Sequence, residues 1–295
     1  MGIELIVKVL GDDPDVLDGA LAAAVKEIKR VEDLMTDWRP SELTRLNDSA
    51  GNGPHEVPRE LAQIIARGLE VGRITKGAFD ITYASAGKLW DFKSDPPKIP
   101  DEKEIAVGLR NVGFRRVLVD PEKNTVELPD GTRIGLGGIA KGYGVDRAMT
   151  VLRDLGIQHA VVDAGADMKV LGRKFGEPWE IAIKHPRDRD RAMAVLRLSN
   201  SSVVTSGDYE RFFELDGKRY HHIIDPRTGY PSTGCLSASV VAGNAEYGDA
   251  LATAMCVLGP EKGLELIESL KRVEAILVGL DGEVHVSTGL RGMVK

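Results

Sequence analysis

The chain has 295 residues, 42% of them hydrophobic and 28% charged, with a formal net charge of −6. That balance describes a globular chain able to bury a sizeable core without disulfides. It argues against nucleic acid as a partner, because no basic stripe is present, and no run of 18 apolar residues exists to span a membrane.

A strand is expected over residues 3–9, directly after Met1 and Gly2, with no signal peptide. Residues 15–35 carry Leu17, Leu21, Ala24, Ile28, Val31 and Leu34 at helical spacing with a wet opposite face. This helix runs out into Thr36, Asp37 and Trp38, and Ser41 caps a short helical turn to Asn47. Trp38 either packs in the core or stacks on a planar ring. Residues 58–75 form a second helix, stopped at Lys76 and Gly77. Asp80 follows within a mainly apolar segment, where a carboxylate needs partners: backbone amides or a ligand. Beyond a proline-rich loop at 93–100, Asp101 caps a helix to Val107. Short strands at 117–120 and 125–128, each closed by a turn, read as hairpins.

Gly135, Gly137, Gly138, Gly142 and Gly144 then fall within ten residues, ahead of an amphipathic helix over 145–155. A glycine-rich turn opening into a helix presents free N–H groups and the positive end of the helix dipole, an anion site to which Lys141 adds charge. A tight strand-to-helix connection is the alternative. Gly135, Gly137 and Ala140 match the dinucleotide fingerprint, but hairpins upstream contradict the βαβ unit that motif needs. The phosphate loop fails because Gly142, not Ser or Thr, follows Lys141.

Downstream, strands are expected at 159–162, 168–171, 179–183, 192–198, 202–206, 218–224, 238–241, 274–280 and 283–287. Helices are expected at 249–258 and 261–270, and residues 187–191 form a solvated charged loop. Cys235 and Cys256, each with apolar neighbours, are expected to pack as small hydrophobes. Grouped strands separated by helices indicate α+β with largely antiparallel sheets. His221 and His222 point to opposite faces of their strand, so at most one lines a site. Asp249 and Thr253 are four apart on one helical face. Together they can hold a hard cation such as Mg²⁺; alternatively Asp249 is the N-cap and Thr253 bonds back to its own helix.

Five motifs in order carry a resemblance: Gly77 to Thr82, Leu136 to Tyr143, Thr205 to Tyr209, His222 to Gly229 and Asp249 to Thr253. The set resembles the ApbE family of FAD:protein FMN transferases over nearly the whole chain. The resemblance implies one domain over 1–295, a T-fold-related single compact unit with largely antiparallel sheets and flanking helices. It implies Mg²⁺-dependent cleavage of FAD, transfer of FMN to a Ser or Thr hydroxyl of an acceptor protein, and release of AMP. Carried over by position, the metal ligands are Asp249, Thr253 and the Ala140 carbonyl. FAD contacts come from Trp38, Ala78, Phe79, Asp80, Lys141, Ser206, Gly207, His222 and Thr228. Lys141 offsets charge on the diphosphate, His222 is the expected proton acceptor, its ordinary pKa being ~6.5, and Asp208 is the second choice. Trp38 stands where the family usually has a tyrosine, and Gly135 where it commonly has an aspartate, so one carboxylate contact to FAD is either missing or supplied elsewhere. An FAD pyrophosphatase, with water as acceptor, and a flavin-binding protein without turnover are the alternatives. Family members usually work outside the bacterial cytoplasmic membrane, which sets the expected compartment.

Overall fold

The computed structural model describes residues 4–292. Strand β1 (Leu5–Leu10) leads into helix α1 (Pro14–Met35), whose first turn is closed by the Asp13 carboxylate accepting from the amides of Asp15 and Val16. Ile3, at the start of the expected first strand, lies outside the described residues. Helix α2 (Glu42–Asp48) opens on a capping box between Ser41 and Thr44. Next come β2 (His55–Glu56), α3 (Arg59–Ile74), a 3₁₀ turn at Ile81–Tyr83, α4 (Ala84–Gly87) and α5 (Glu102–Leu109), the last capped by Asp101 as expected. Strands β3 (Leu118–Asp120) and β4 (Thr125–Glu127) make the expected hairpin. The glycine stretch then opens α6 (Ala140–Asp154).

Beyond it lie β5 (His159–Ala164), β6 (Asp167–Leu171), β7 (Trp179–His185), β8 (Asp188–Leu198), β9 (Ser201–Gly207), β10 (Phe212–Leu215), β11 (Lys218–His221) and β12 (Ser237–Ala242). Helix α7 (Ala245–Ser269), β13 (Glu274–Val278) and β14 (Val284–Val286) complete the chain. Seven strands form one antiparallel sheet in the order β1–β5–β6–β9–β12–β13–β14. The α+β, antiparallel expectation holds.

Both faces of that sheet are covered. Alternate residues of each strand therefore enter different cores. Ala160, Val162, Val204, Ala238, Val240, Ala275 and Leu277 face α1, α6 and α7. Val161, Val170, Val203, Ile276 and Val278 face the β7–β8 hairpin, packing against Trp179, Ile181 and Leu196. A third, smaller cluster gathers Trp90, Ile105 and Ile224 with Tyr83, Phe213, Tyr220 and Tyr230 and seats the β10–β11 hairpin. Trp90 and Tyr220 stack with ring centroids 5.7 Å apart.

Three sequence expectations are corrected. The charge run over 187–191 is not a free loop, because β8 begins at Asp188 and continues it into the hairpin. Helix α6 starts at Ala140, five residues before the amphipathic run, so Lys141 and Gly142 lie in its first turn. Helix α7 starts at Ala245 rather than Asp249, although the break expected at Gly259-Pro260 is present as a non-helical Gly259 with φ of 77°. Neither helix has a side-chain N-cap of its own. Each caps the other: the Asp249 carboxylate accepts from the Gly142 amide at 3.1 Å, and the Asp146 carboxylate accepts from the Glu246 amide at 2.9 Å. These tertiary caps satisfy the open amides of both helix starts.

Candidate active site

The crossing of α6 and α7 explains two of the glycines. A Cβ on Gly142 would lie 2.2 Å from the Ala245 carbonyl oxygen, and one on Gly138 would lie 2.9 Å from Thr253 Oγ1. All five glycines of the stretch have ordinary negative-φ or extended backbone, so positive φ is not their reason. At Gly142 the starts of two helices pack backbone against backbone, whereas at Gly138 the turn packs against the Thr253 and Phe79 side chains.

That approach brings α6, α7, β6 and β9 to one point. Lys141 Nζ lies 2.5 Å from Asp167 Oδ1 and 3.7 Å from Asp249 Oδ1. Thr253 Oγ1 faces Ser206 Oγ at 3.5 Å. Asp249 and Thr253 thus share the expected helical face, but Asp249 caps α6 and not its own helix. Ala140, whose carbonyl the resemblance implicates, is the first residue of α6 beside them.

The electrostatics are unbalanced. Burial opposes the Lys141 ammonium, but Asp167 and Asp249 outweigh it and hold the group above the ordinary lysine range, so it stays charged. Two buried carboxylates face this one cation. Burial first, and then the neighbouring Asp249, push Asp167 well above the usual carboxylate range. Its Oδ2 is buried with no hydrogen-bond partner among the described residues. Two buried carboxyl groups that oppose each other's ionisation, one with an oxygen lacking a hydrogen-bond partner among the described residues, suit a hard, oxygen-seeking cation that would let both ionise. Among the described residues no three His, Cys, Asp or Glu side chains group as a metal site. A cation at Asp249 would therefore complete its shell with the Thr253 hydroxyl and backbone or water oxygens.

His222 follows β11, its amide donating to the Arg211 carbonyl at 3.0 Å. Burial, then His221, Arg211 and Lys141, push its imidazole down to about 4, so it is neutral at pH 7. Its Nδ1 is buried without a partner among the described residues. His221, by contrast, is tied through Nε2 to the Ser232 carbonyl at 2.9 Å, which makes it the structural member of the pair.

Several expected contacts take other roles. Both oxygens of Asp208 accept from the Arg187 guanidinium at 2.6 Å, which ties the β7–β8 turn to the end of β9 and leaves Asp208 poorly placed as a base. Asp80 spends its carboxylate internally: Oδ1 accepts from the Thr82 amide at 2.8 Å and its hydroxyl at 2.6 Å, and Oδ2 from the Phe114 amide at 2.9 Å. This is the structural alternative read for Asp80, and it stiffens the loop carrying Ala78 and Phe79. Both of these are buried, and the Phe79 ring lies under Gly138, supporting the turn from below. Gly207 is covered by the Tyr209 ring. Thr228 Oγ1 accepts from the Tyr230 amide at 3.2 Å in the turn after Asp225. Trp38 is 60% exposed, so it is not a core residue and its ring is open to stack.

The site residue missed from the sequence is Asp167. It heads the apolar strand β6, and no spacing rule links it to Lys141, which lies 26 residues away. The available signal was a carboxylate opening a strand buried on both faces.

The whole chain superposes on solved flavin transferases. The apo crystal structure of the flavinyl transferase ApbE of Pseudomonas stutzeri superposes with a TM-score of 0.84 at 26% identity, covering 99% of this chain and 96% of that one. The crystal structure of the ApbE protein of Thermotoga maritima gives a TM-score of 0.89 at 32% identity, over 100% and 96%. An FAD:protein FMN transferase of Treponema pallidum (strain Nichols) is 36% identical over 272 residues, 86% of this chain and 75% of that protein. One from Klebsiella pneumoniae (strain 342) is 34% identical over 99% of this chain and 90% of its own length. The ApbE family model matches residues 1–277. The chain belongs to the ApbE family.

Proposed function

We propose that this protein is an FAD:protein FMN transferase that moves FMN from FAD to a Ser or Thr hydroxyl of an acceptor protein, with Mg²⁺ bound at Asp249 and Thr253. The observation that carries the reading is the crowding of acid groups at the glycine turn: two buried carboxylates share one ammonium, and one of them keeps an oxygen with no hydrogen-bond partner among the described residues. The names and structures of the relatives support the flavin chemistry.

When bound, Mg²⁺ would neutralise charge on the diphosphate. Asp249 and Thr253 would hold it from the α7 face, joined by the Ala140 carbonyl. Lys141, kept charged by its carboxylates, would add its ammonium on the diphosphate side. Trp38 offers a flat face to the flavin. The acceptor hydroxyl oxygen forms a bond to the FMN phosphorus while the bond from that phosphorus to the AMP oxygen breaks. AMP leaves with the bridging oxygen and both its electrons. The hydroxyl proton passes to His222 Nδ1, which is neutral and without a partner among the described residues. Asp167 orients Lys141 and takes no part in bond making.

The test is incubation with FAD and Mg²⁺, with and without a peptide bearing a Ser/Thr flavinylation motif. Covalent flavin on the peptide, with AMP in equal amount, is expected. Free FMN and AMP with an unmodified peptide would make the protein a pyrophosphatase instead. Bound FAD without any product would remove the catalytic reading.

A further inference from the structure

Position 135 has no side chain because Tyr83 occupies its space. A Cβ on Gly135 would meet Tyr83 Cε1 at 3.0 Å, Tyr83 Cζ at 3.1 Å and Ala84 Cβ at 3.1 Å. Further along the turn, a Cβ on Gly137 would lie 3.4 Å from the Tyr83 hydroxyl. The phenol thus lies along the glycine turn, one residue short of the point where Gly138 meets Thr253. Its position is fixed on both sides. The ring packs in the cluster of Trp90, Ile105 and Ile224, and Gly87 lies against its other edge, where a Cβ would come within 2.9 Å of Tyr83 Cδ2. The Gly135 amide, donating to the Ile81 carbonyl at 2.8 Å, clamps the turn to the segment that carries Tyr83.

The hydroxyl is engaged in no hydrogen bond among the described residues. Burial, with Asp37 and Asp249 adding to it, pushes the phenol up to about 12. It is therefore a donor, never a phenolate, at neutral pH. A rigid donor aimed along a glycine turn, with no partner in the protein, is what an oxygen-rich ligand seated there would engage.

We infer that Tyr83 is a positioning residue for the bound nucleotide: its hydroxyl donates to an oxygen of FAD at the turn, supplying from α4's side the polar contact that Gly135 cannot make. This rests on the proposal that FAD occupies the turn. Tyr83 and Gly135 are then one unit, since a side chain at 135 displaces the ring.

The test measures FAD affinity at equilibrium by flavin fluorescence, without acceptor, alongside thermal unfolding. Tyr83→Phe keeps the ring and its packing. It is expected to weaken FAD binding about tenfold with an unchanged melting temperature, the loss of one hydrogen bond to a charged ligand. Gly135→Asp, which drives the carboxylate into the ring, is expected to weaken binding further, and Tyr83→Ala combined with Gly135→Asp to recover part of it. Equal affinity of Tyr83→Phe and the parent would overturn the role of Tyr83 while leaving the proposed function intact. Gly135→Asp binding FAD as the parent does would also overturn it. A parent protein that binds no FAD would overturn both readings together.

Discussion

The two faces of the central sheet are built from the same strands and differ in what they bury. Val203 and Val204 are neighbours, yet one enters the hairpin core and the other the helix core. The hairpin core is apolar, and the charged pair at its rim, Arg187 with Asp208, fastens the hairpin to the end of β9. The helix face instead buries Asp167, Lys169, Glu246 and Asp249 at the start of two helices. Buried charge is costly unless paired. Its concentration at one point of one face, with the pairing incomplete, separates the working side of the sheet from the supporting side.

Substitutions on the two faces should therefore fail differently. The largest effect is expected at Gly142→Ala, whose methyl would sit 2.2 Å from the Ala245 carbonyl oxygen. Backbone cannot yield there as a flexible side chain would, so α6 and α7 must separate, at a cost of about 3 kcal/mol or more. Thermal unfolding should show the loss, and FAD affinity should fall with it. On the opposite face, Leu196→Ala removes a fully buried side chain from the hairpin core. A cost of about 2–5 kcal/mol is expected, yet FAD affinity measured below the melting transition should match the parent. If both variants lost FAD binding equally, the distinction between the faces would be gone.

A pH experiment sharpens the same contrast through His222. Its folded pKa of about 4 lies below the ordinary histidine value, so between those limits the unfolded chain binds a proton that the folded chain refuses. Stability from this residue is complete above pH ~6.5 and is lost as pH falls toward 4, by up to about 3 kcal/mol. In denaturant melts across pH 4–7, the stability of the parent relative to His222→Asn should fall by that amount from the neutral to the acid end of the range. The smallest effect belongs to the capping box before α2, where Ser41→Ala should cost about 1 kcal/mol in the same melts.

How legible each part was follows from where its stabilising groups come from. Helix α1, with Asp13 before it and a regular apolar stripe, could be read to within a residue or so, and the Asp101 cap of α5 was plain. The starts of α6 and α7 could not be placed, because their caps arrive from each other, 107 and 100 residues away in sequence. The charges of 187–191 looked solvated because Arg187's partner, Asp208, lies at the end of β9 in the central sheet, 21 residues on. Asp249 and Thr253 share a face by helical spacing, a local rule, whereas Asp167 and Tyr83 reach the glycine turn and its helix only through folding. The glycines stand out in the sequence, but what they pack against does not: they permit helix-to-helix and ring-to-turn contact and need no positive φ.

The central claim is that Asp249 and its neighbours hold a divalent cation against the nucleotide. Asp249→Asn preserves side-chain volume and an oxygen able to accept from the Gly142 amide, so the crossing of α6 and α7 should persist. The most direct measurement is covalent flavin formed on an acceptor peptide from FAD over a Mg²⁺ titration, parent against Asp249→Asn. The account predicts saturating, Mg²⁺-dependent labelling by the parent and none by the variant at any Mg²⁺ concentration that saturates the parent. Equal labelling by the two proteins, or labelling by the parent that persists in EDTA, would contradict it.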